Sequence, residues 1–147
     1  MTIEQIAAPL SDDLELLHRA AEGARARAYA PYSNFEVGAA VRTIDGHVIT
    51  AGNVENIVYS STICAERAAI FRAVAEGYTH FDAIAIAGPP GSVSPCGACR
   101  QVLAEFMDPT ATIVFPLDTA HVVAVPLNTL LPHPFSLPEG PSQQLDG

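Results

Sequence analysis

Three cysteines sit in two short segments, Cys64-Ala65-Glu66-Arg67 and Pro95-Cys96-Gly97-Ala98-Cys99-Arg100-Gln101, each at the predicted start of a helix that follows a loop. The positive end of a helix dipole favours thiolate over thiol. Three cysteines cannot close a complete disulfide framework, so metal ligation or thiol chemistry is the better use for them. Read alone, Cys96-x-x-Cys99 fits a redox pair as well as a metal knuckle; Cys64 with its Glu-Arg neighbours shifts the balance to metal. Three thiolates converging from two helix starts hold Zn²⁺ tetrahedrally and leave a fourth position open, the mark of a catalytic rather than a structural zinc. Such a fold must bring two helix N-termini to one point. Three thiolates outweigh the ion's two charges, and Arg67 is placed to offset them by donating to a thiolate. Glu66, beside the ligands but not one of them, can take a proton from an activated water and hand it on.

The rest of the chain supplies a sheet to carry those helices. Apolar residues at helical spacing predict a helix over Ser11 to Tyr29, capped by Ser11 or Asp12. Phe35 to Thr43 and His47 to Ala51 read as strands joined at the Asp45-Gly46 hairpin turn. An alanine-rich helix follows from Cys64 to Ala75, then a buried strand from Phe81 to Ala87 and a helix from Cys96 to Met107. Ala111 to Phe115 and His121 to Pro126 are two further strands. From about Pro132 the chain is a Pro-rich extended tail, with Pro134, Pro138 and Pro141. The order αββαβαββ predicts an α/β fold, a three-layer α/β/α arrangement around a mixed five-stranded sheet, spanning residues 1–147 as one domain.

Composition narrows the partners. The 147 residues, 49% hydrophobic and 16% charged, suit a globular core burying roughly two-thirds of the unfolded surface. Seven basic residues, all arginine, against 16 acidic ones give a net charge of -9. That excludes a lysine Schiff base and a phosphate-tracking basic face, so no nucleic-acid polymer is expected. No apolar run reaches membrane-spanning length, and the opening MTIEQIAAPL lacks the basic start of a secretory signal. A cytoplasmic location follows as the expectation. His18, His47, His80, His121 and His133 have no ligand spacing to the cysteines.

Cys-x-Glu with Pro-Cys-x-x-Cys is the zinc nucleobase deaminase signature in its three-cysteine form. The segments SNFEVGAAV, NVENIVYSSTICAERAAIFRAVAEGY and SPCGACRQVLAEF resemble the small homotetrameric cytidine deaminases, and the likeness runs from about Tyr29 to about Phe135. The resemblance implies one Zn²⁺ per subunit on Cys64, Cys96 and Cys99, Glu66 as proton shuttle and Arg67 tuning the thiolate charge. It implies that Asn53 and Glu55 hold the ribose hydroxyls, Phe35 packs on the pyrimidine and the backbone at Ala65 contacts that ring. Tyr59 is placed at a subunit contact, and Phe135 would come from a neighbouring subunit of a homotetramer to finish the pocket. The implied reaction is hydrolytic deamination of cytidine or deoxycytidine to uridine or deoxyuridine plus ammonia, a step of pyrimidine salvage. Glu36, where the family commonly has proline, is expected to face away from the ring. With the IVYSS loop it borders the pocket, so a modified cytosine nucleoside is the alternative substrate. A non-catalytic zinc module is the third reading; it requires a fourth protein ligand, and the sequence offers no obvious one.

Overall fold

The computed structural model describes residues 8–138. Strands β1 (Gly38–Thr43), β2 (Val48–Gly52), β3 (Phe81–Ala87), β4 (Met107–Pro116) and β5 (Val122–Pro126) form one sheet in the order β2-β1-β3-β4-β5. Around it lie helices α1 (Asp12–Ala24), α2 (Ala65–Ala75), α3 (Gly97–Phe106) and the single turn α4 (Leu127–Leu130). Only β3 and β4 pair in parallel; the other neighbours are antiparallel. The sheet is therefore mixed, as the element order predicts, with α4 as an addition after β5.

Side-chain alternation decides which helix covers which face. Ala40 of β1 and Ala83, Ala85 and Ala87 of β3 share a cluster with Leu17 and Ala21 of α1. Their opposite-facing neighbours Ala39, Val41, Ile84 and Ile86 pack with Ala69, Ile70 and Ala73 of α2 and Leu103 of α3. The alanine face lets α1 lie very close to the sheet. At Gly38 an added Cβ would stand 2.0 Å from the Ala21 carbonyl oxygen and 2.7 Å from the Arg25 nitrogen. The hairpin also forms as expected: Gly46 takes φ +93°, and its N–H donates to the Thr43 carbonyl at 3.0 Å.

Several boundaries differ from the sequence expectation. The first helix stops at Ala24 and continues only as a 3-10 turn over Arg25–Arg27. Beyond it Tyr29 is extended, donating to the Asn53 carbonyl and accepting from the Glu55 N–H, both at 2.8 Å. Ser11 does occupy the N-cap, but its hydroxyl donates to Asp13 at 2.5 Å instead of capping. The first strand begins at Gly38 rather than Phe35, and β4 begins at Met107, where Phe81 pairs with Met107 ahead of an irregular step in register. Residues 131–138 form neither helix nor strand. Pro141 and most of the opening segment read for a signal lie outside the described residues. Among the described residues no helix is long and apolar enough to cross a membrane.

The chain order also fixes where helix starts meet. Helix α2 leads through a short turn into the first residue of β3, so its N-terminus lies back toward the strand's carboxyl end. Helix α3 departs from that same end. Both N-termini therefore open over the carboxyl edge of β3, the place where α/β sheets bind ligands.

Candidate metal centre

Cys64 and Cys96 are the N-cap residues of α2 and α3, both with extended backbone (φ -64°, ψ 152° and φ -68°, ψ 166°). Cys99 lies one turn into α3 and is buried. The three sulfurs lie within 4.8 Å of one another. Cys64 and Cys96 are 3.9 Å apart, and Cys96 to Cys99 is 3.5 Å. Sulfurs at about 2.3 Å from a tetrahedral zinc would be about 3.8 Å apart, so the cluster is already at ligand spacing.

Charge is arranged to match. Arg67 Nη2 donates to Cys64 Sγ at 3.6 Å, while the buried Arg67 Nε has no hydrogen-bond partner. A partly buried guanidinium aimed at sulfur stabilises thiolate. The Cys64 thiol is drawn down to about 5, first by the Cys99 thiol and then by Arg67, with burial opposing. Cys99 moves up, held by the same contact with Cys64 and by burial. Three sulfurs so close cannot all ionise without a cation, and the sulfur-only donor set with one guanidinium suits zinc.

Glu66 follows Cys64 by two residues and is 5% exposed. Burial raises its carboxyl to about 7, the Cys64 charge adds to the rise and Arg67 opposes it. A carboxyl at that value exchanges protons readily at neutral pH. Ala65, between Cys64 and Glu66, is fully buried.

The other expected site residues are placed less uniformly. Asn53 and Glu55 are buried, and their side chains are engaged with the 32–37 loop. Asn53 Oδ1 accepts from the Val37 N–H and its Nδ2 donates to the Phe35 carbonyl, both at 2.9 Å. Glu55 accepts from the Tyr32 and Ser33 N–H groups at 3.0 and 3.1 Å and from the Ser33 hydroxyl at 2.5 Å. These bonds hold its carboxyl below the usual range, the Ser33 hydroxyl foremost. The loop so tied carries Asn34 at φ 55° and presents Phe35, 45% exposed. Glu36 is exposed, and its carbonyl accepts from Arg25 Nε. Tyr59 is 71% exposed and meets Tyr32 edge to face at 5.4 Å.

Phe135 is 75% exposed. A groove of about 680 Å³ runs beneath its tail, and none of the three cysteines, Glu66 or Phe35 lines it. Sequence reasoning missed Ser33, Arg100 and Gln101, whose polar groups fix the loop and the tail. Ser33 stands in a turn-prone stretch where a hydroxyl acceptor-donor is common, the only available signal; Arg100 and Gln101 close the second cysteine segment, which marks them out but assigns them no role.

Residues 11–115 match the family described as the cytidine and deoxycytidylate deaminase zinc-binding region. The chain is 44% identical over 125 residues to a cytidine deaminase of Sporosarcina psychrophila, covering 84% of this chain and 92% of that one. A cytidine deaminase of Mycobacterium tuberculosis is 40% identical over 133 residues, 90% of this chain and 96% of that protein. The crystal structure of the cytidine deaminase from Burkholderia pseudomallei superposes with a TM-score of 0.78 at 46% identity, covering 86% of this chain and all of that one. The chain belongs to the zinc-binding cytidine and deoxycytidylate deaminase family. The cysteine cluster supplies the donor set a zinc-binding region requires.

Proposed function

We propose that this protein hydrolytically deaminates free cytidine or deoxycytidine, with Cys64, Cys96 and Cys99 holding the zinc. The observation that carries the reading is a buried carboxyl, Glu66, beside three sulfurs at ligand spacing where two helix N-termini meet. Bound there, zinc supplies Lewis acidity that makes water a nucleophile near neutral pH. Glu66 takes one proton from the water and gives it to N3 of the cytosine ring as the hydroxyl adds to C4; it then takes the remaining proton from that C4 hydroxyl and passes it to the amino group, so that the C4–N bond breaks, ammonia leaves and a C4 carbonyl remains. Arg67 keeps the sulfurs ionised. Phe35 and the backbone at Ala65 locate the pyrimidine, and Glu55 and Asn53 offer remaining lone pairs and an N–H to the sugar hydroxyls.

The pocket is finished by other copies of the chain in a homotetramer. Supporting this, Ile57, Val58 and Tyr59, between Glu55 and Cys64, are all strongly exposed apolar residues. Phe135 is held beside Gln101, two residues beyond Cys99 and so about 200° around α3 from it. An aromatic on that side serves a neighbour's pocket better than its own, with Tyr59 at the contact. Reduced thiols and the acidic surface suit a cytoplasmic, single-domain enzyme acting on small nucleosides.

The test is ultraviolet absorbance and ammonia release from zinc-loaded protein given cytidine, deoxycytidine and N4-methylcytidine in parallel. Loss of the cytidine or deoxycytidine signal supports the reading. Turnover of the substituted base alone would move the assignment to modified nucleosides. Zinc-loaded protein inert on all three would refute it.

A further inference from the structure

Helix α3 does more than carry two of the cysteines. Its residue Gln101 makes a two-point clip on the tail: Nε2 donates to the Phe135 carbonyl at 2.9 Å, and Oε1 accepts from the Phe135 N–H at 3.0 Å. One side-chain amide thereby satisfies both backbone groups of a residue 34 positions away. This is the bonding a strand neighbour gives, supplied by a side chain to a segment that, over its described residues 131–138, is part of no strand. The preceding residue pins the root of the same tail. Arg100 Nη1 donates to the Leu130 carbonyl at 2.7 Å, while its Nε and Nη2 hold the Pro95 carbonyl and the Ser94 hydroxyl at 2.8 and 3.0 Å.

The clip is poorly explained by stability of this chain alone. Gln101 is only half-buried, Phe135 is exposed, and Phe135 belongs to neither hydrophobic cluster of the core. An exposed ring whose backbone is fixed at both polar groups is instead ready to be received elsewhere. Fixing it beforehand lowers the ordering cost that a loose tail would incur when its aromatic is placed.

We infer that Gln101 is a positioning residue for substrate binding: it fixes the backbone of Phe135 so that the ring is presented to the nucleoside pocket of an adjacent copy. This rests on the deaminase reading and on assembly of copies. Helix α3 then serves two pockets, its first turn in its own subunit and its Gln101 side in the neighbour.

The test compares the parent with Gln101→Leu, Phe135→Ala and the double variant, each zinc-loaded. Cytidine kinetics, zinc content and assembly size are measured, together with amide hydrogen exchange over residues 131–138. Losing a base–aromatic contact should raise KM roughly tenfold in Phe135→Ala. Gln101→Leu should raise KM in the same direction with kcat within about twofold, since the clip touches no reacting group. The double variant should match Phe135→Ala, because both changes remove one effect. In Gln101→Leu the Phe135 amide should exchange faster, while peptides over 60–75, zinc content and assembly size stay at parent values.

Unchanged tail exchange in Gln101→Leu would overturn the clip. Multiplying KM losses in the double variant, or an unaltered KM in Phe135→Ala, would overturn its role in presenting the ring. A fall in kcat with zinc loss would place Gln101 with the metal site instead. A parent that turns over no cytosine nucleoside would sink the deaminase reading and with it the role at the pocket. The exchange measurement would still decide whether Gln101 orders the tail.

Discussion

Replacing Asn53 by alanine separates two jobs that the side chain could hold. In the fold its amide bridges the Val37 N–H and the Phe35 carbonyl, and the residue is 8% exposed. Alanine would leave the buried Val37 N–H without a partner, which costs about 1–3 kcal/mol. The bond to the more accessible Phe35 carbonyl, which water can partly replace, adds about 1 kcal/mol. The sum, about 2–4 kcal/mol, is a large part of the stability of a domain this size. At about 4 °C per kcal/mol for such a chain, Tm should fall by roughly 8–16 °C. Thermal melts of zinc-loaded parent and Asn53→Ala provide the assay, with KM for cytidine measured well below both transitions. KM should rise as well, because the loop that presents Phe35 has lost an anchor. A Tm within about 2 °C of the parent, with KM raised, would refute this account and leave Asn53 as a sugar contact alone.

Three further changes test other parts of the structure. Glu66→Gln should keep zinc at parent stoichiometry while kcat falls roughly 10²- to 10⁴-fold, read by metal analysis alongside steady-state kinetics; undiminished turnover would remove Glu66 as proton carrier. Gly38→Ala drives a methyl into the backbone of α1, 2.0 Å from the Ala21 oxygen, and should cost at least about 1–3 kcal/mol in a denaturant melt. Burial holds His18 below its ordinary value of 6.5, against the opposing pull of Glu22, and its Nε2 has no hydrogen-bond partner. A depressed native value means the unfolded chain binds the proton first. Its contribution is therefore present above about 6.5 and lost as pH falls through the native value. Urea midpoints at pH 7.5 and 5.5 should differ less in His18→Leu than in the parent; an equal difference would assign the acid sensitivity elsewhere.

The metal cluster was legible in the sequence because its determinants are local. Cys64 and Cys96 announce helix starts, and Glu66, Arg67 and Cys99 follow within one turn, so the reading needed only that two helix ends meet. The sheet was legible for a similar reason, since the continuous apolar run from Phe81 to Ala87 becomes the buried central strand β3 and the Asp45-Gly46 turn joins β1 to β2. What could not be read is governed by partners distant in sequence. The alanine-rich run Ala24 to Ala28 has ample helix propensity, yet Tyr29 pairs with the segment around Val54 and the helix ends early. Asn53 and Glu55 stood out as polar residues two apart in a loop. That spacing puts both on one side of an extended segment, but nothing local says the 32–37 loop lies there to receive them. Gln101 was further from reach: it falls off the buried Cys99–Leu103 line of α3, where periodicity assigns only a surface residue.

All seven basic residues are arginine, and five of them bond through the guanidinium to acceptors elsewhere in the chain. Arg25 holds the Glu36 carbonyl and Arg72 holds the Thr50 carbonyl. Arg42 joins Asp13 to Asp82, Arg67 faces the Cys64 sulfur, and Arg100 gathers three acceptors from two segments. A planar guanidinium presents five donors in fixed directions, against the three of a lysine ammonium, and so suits acceptors on separate segments. The seven arginine charges are outnumbered by 16 carboxylates, and the net charge of -9 leaves the chain acidic. A phosphate backbone would meet that field as repulsion, while an uncharged nucleoside would not. The arginines thus tie loop, metal cluster and tail together, while the excess of carboxylates favours a small neutral substrate over a polymer.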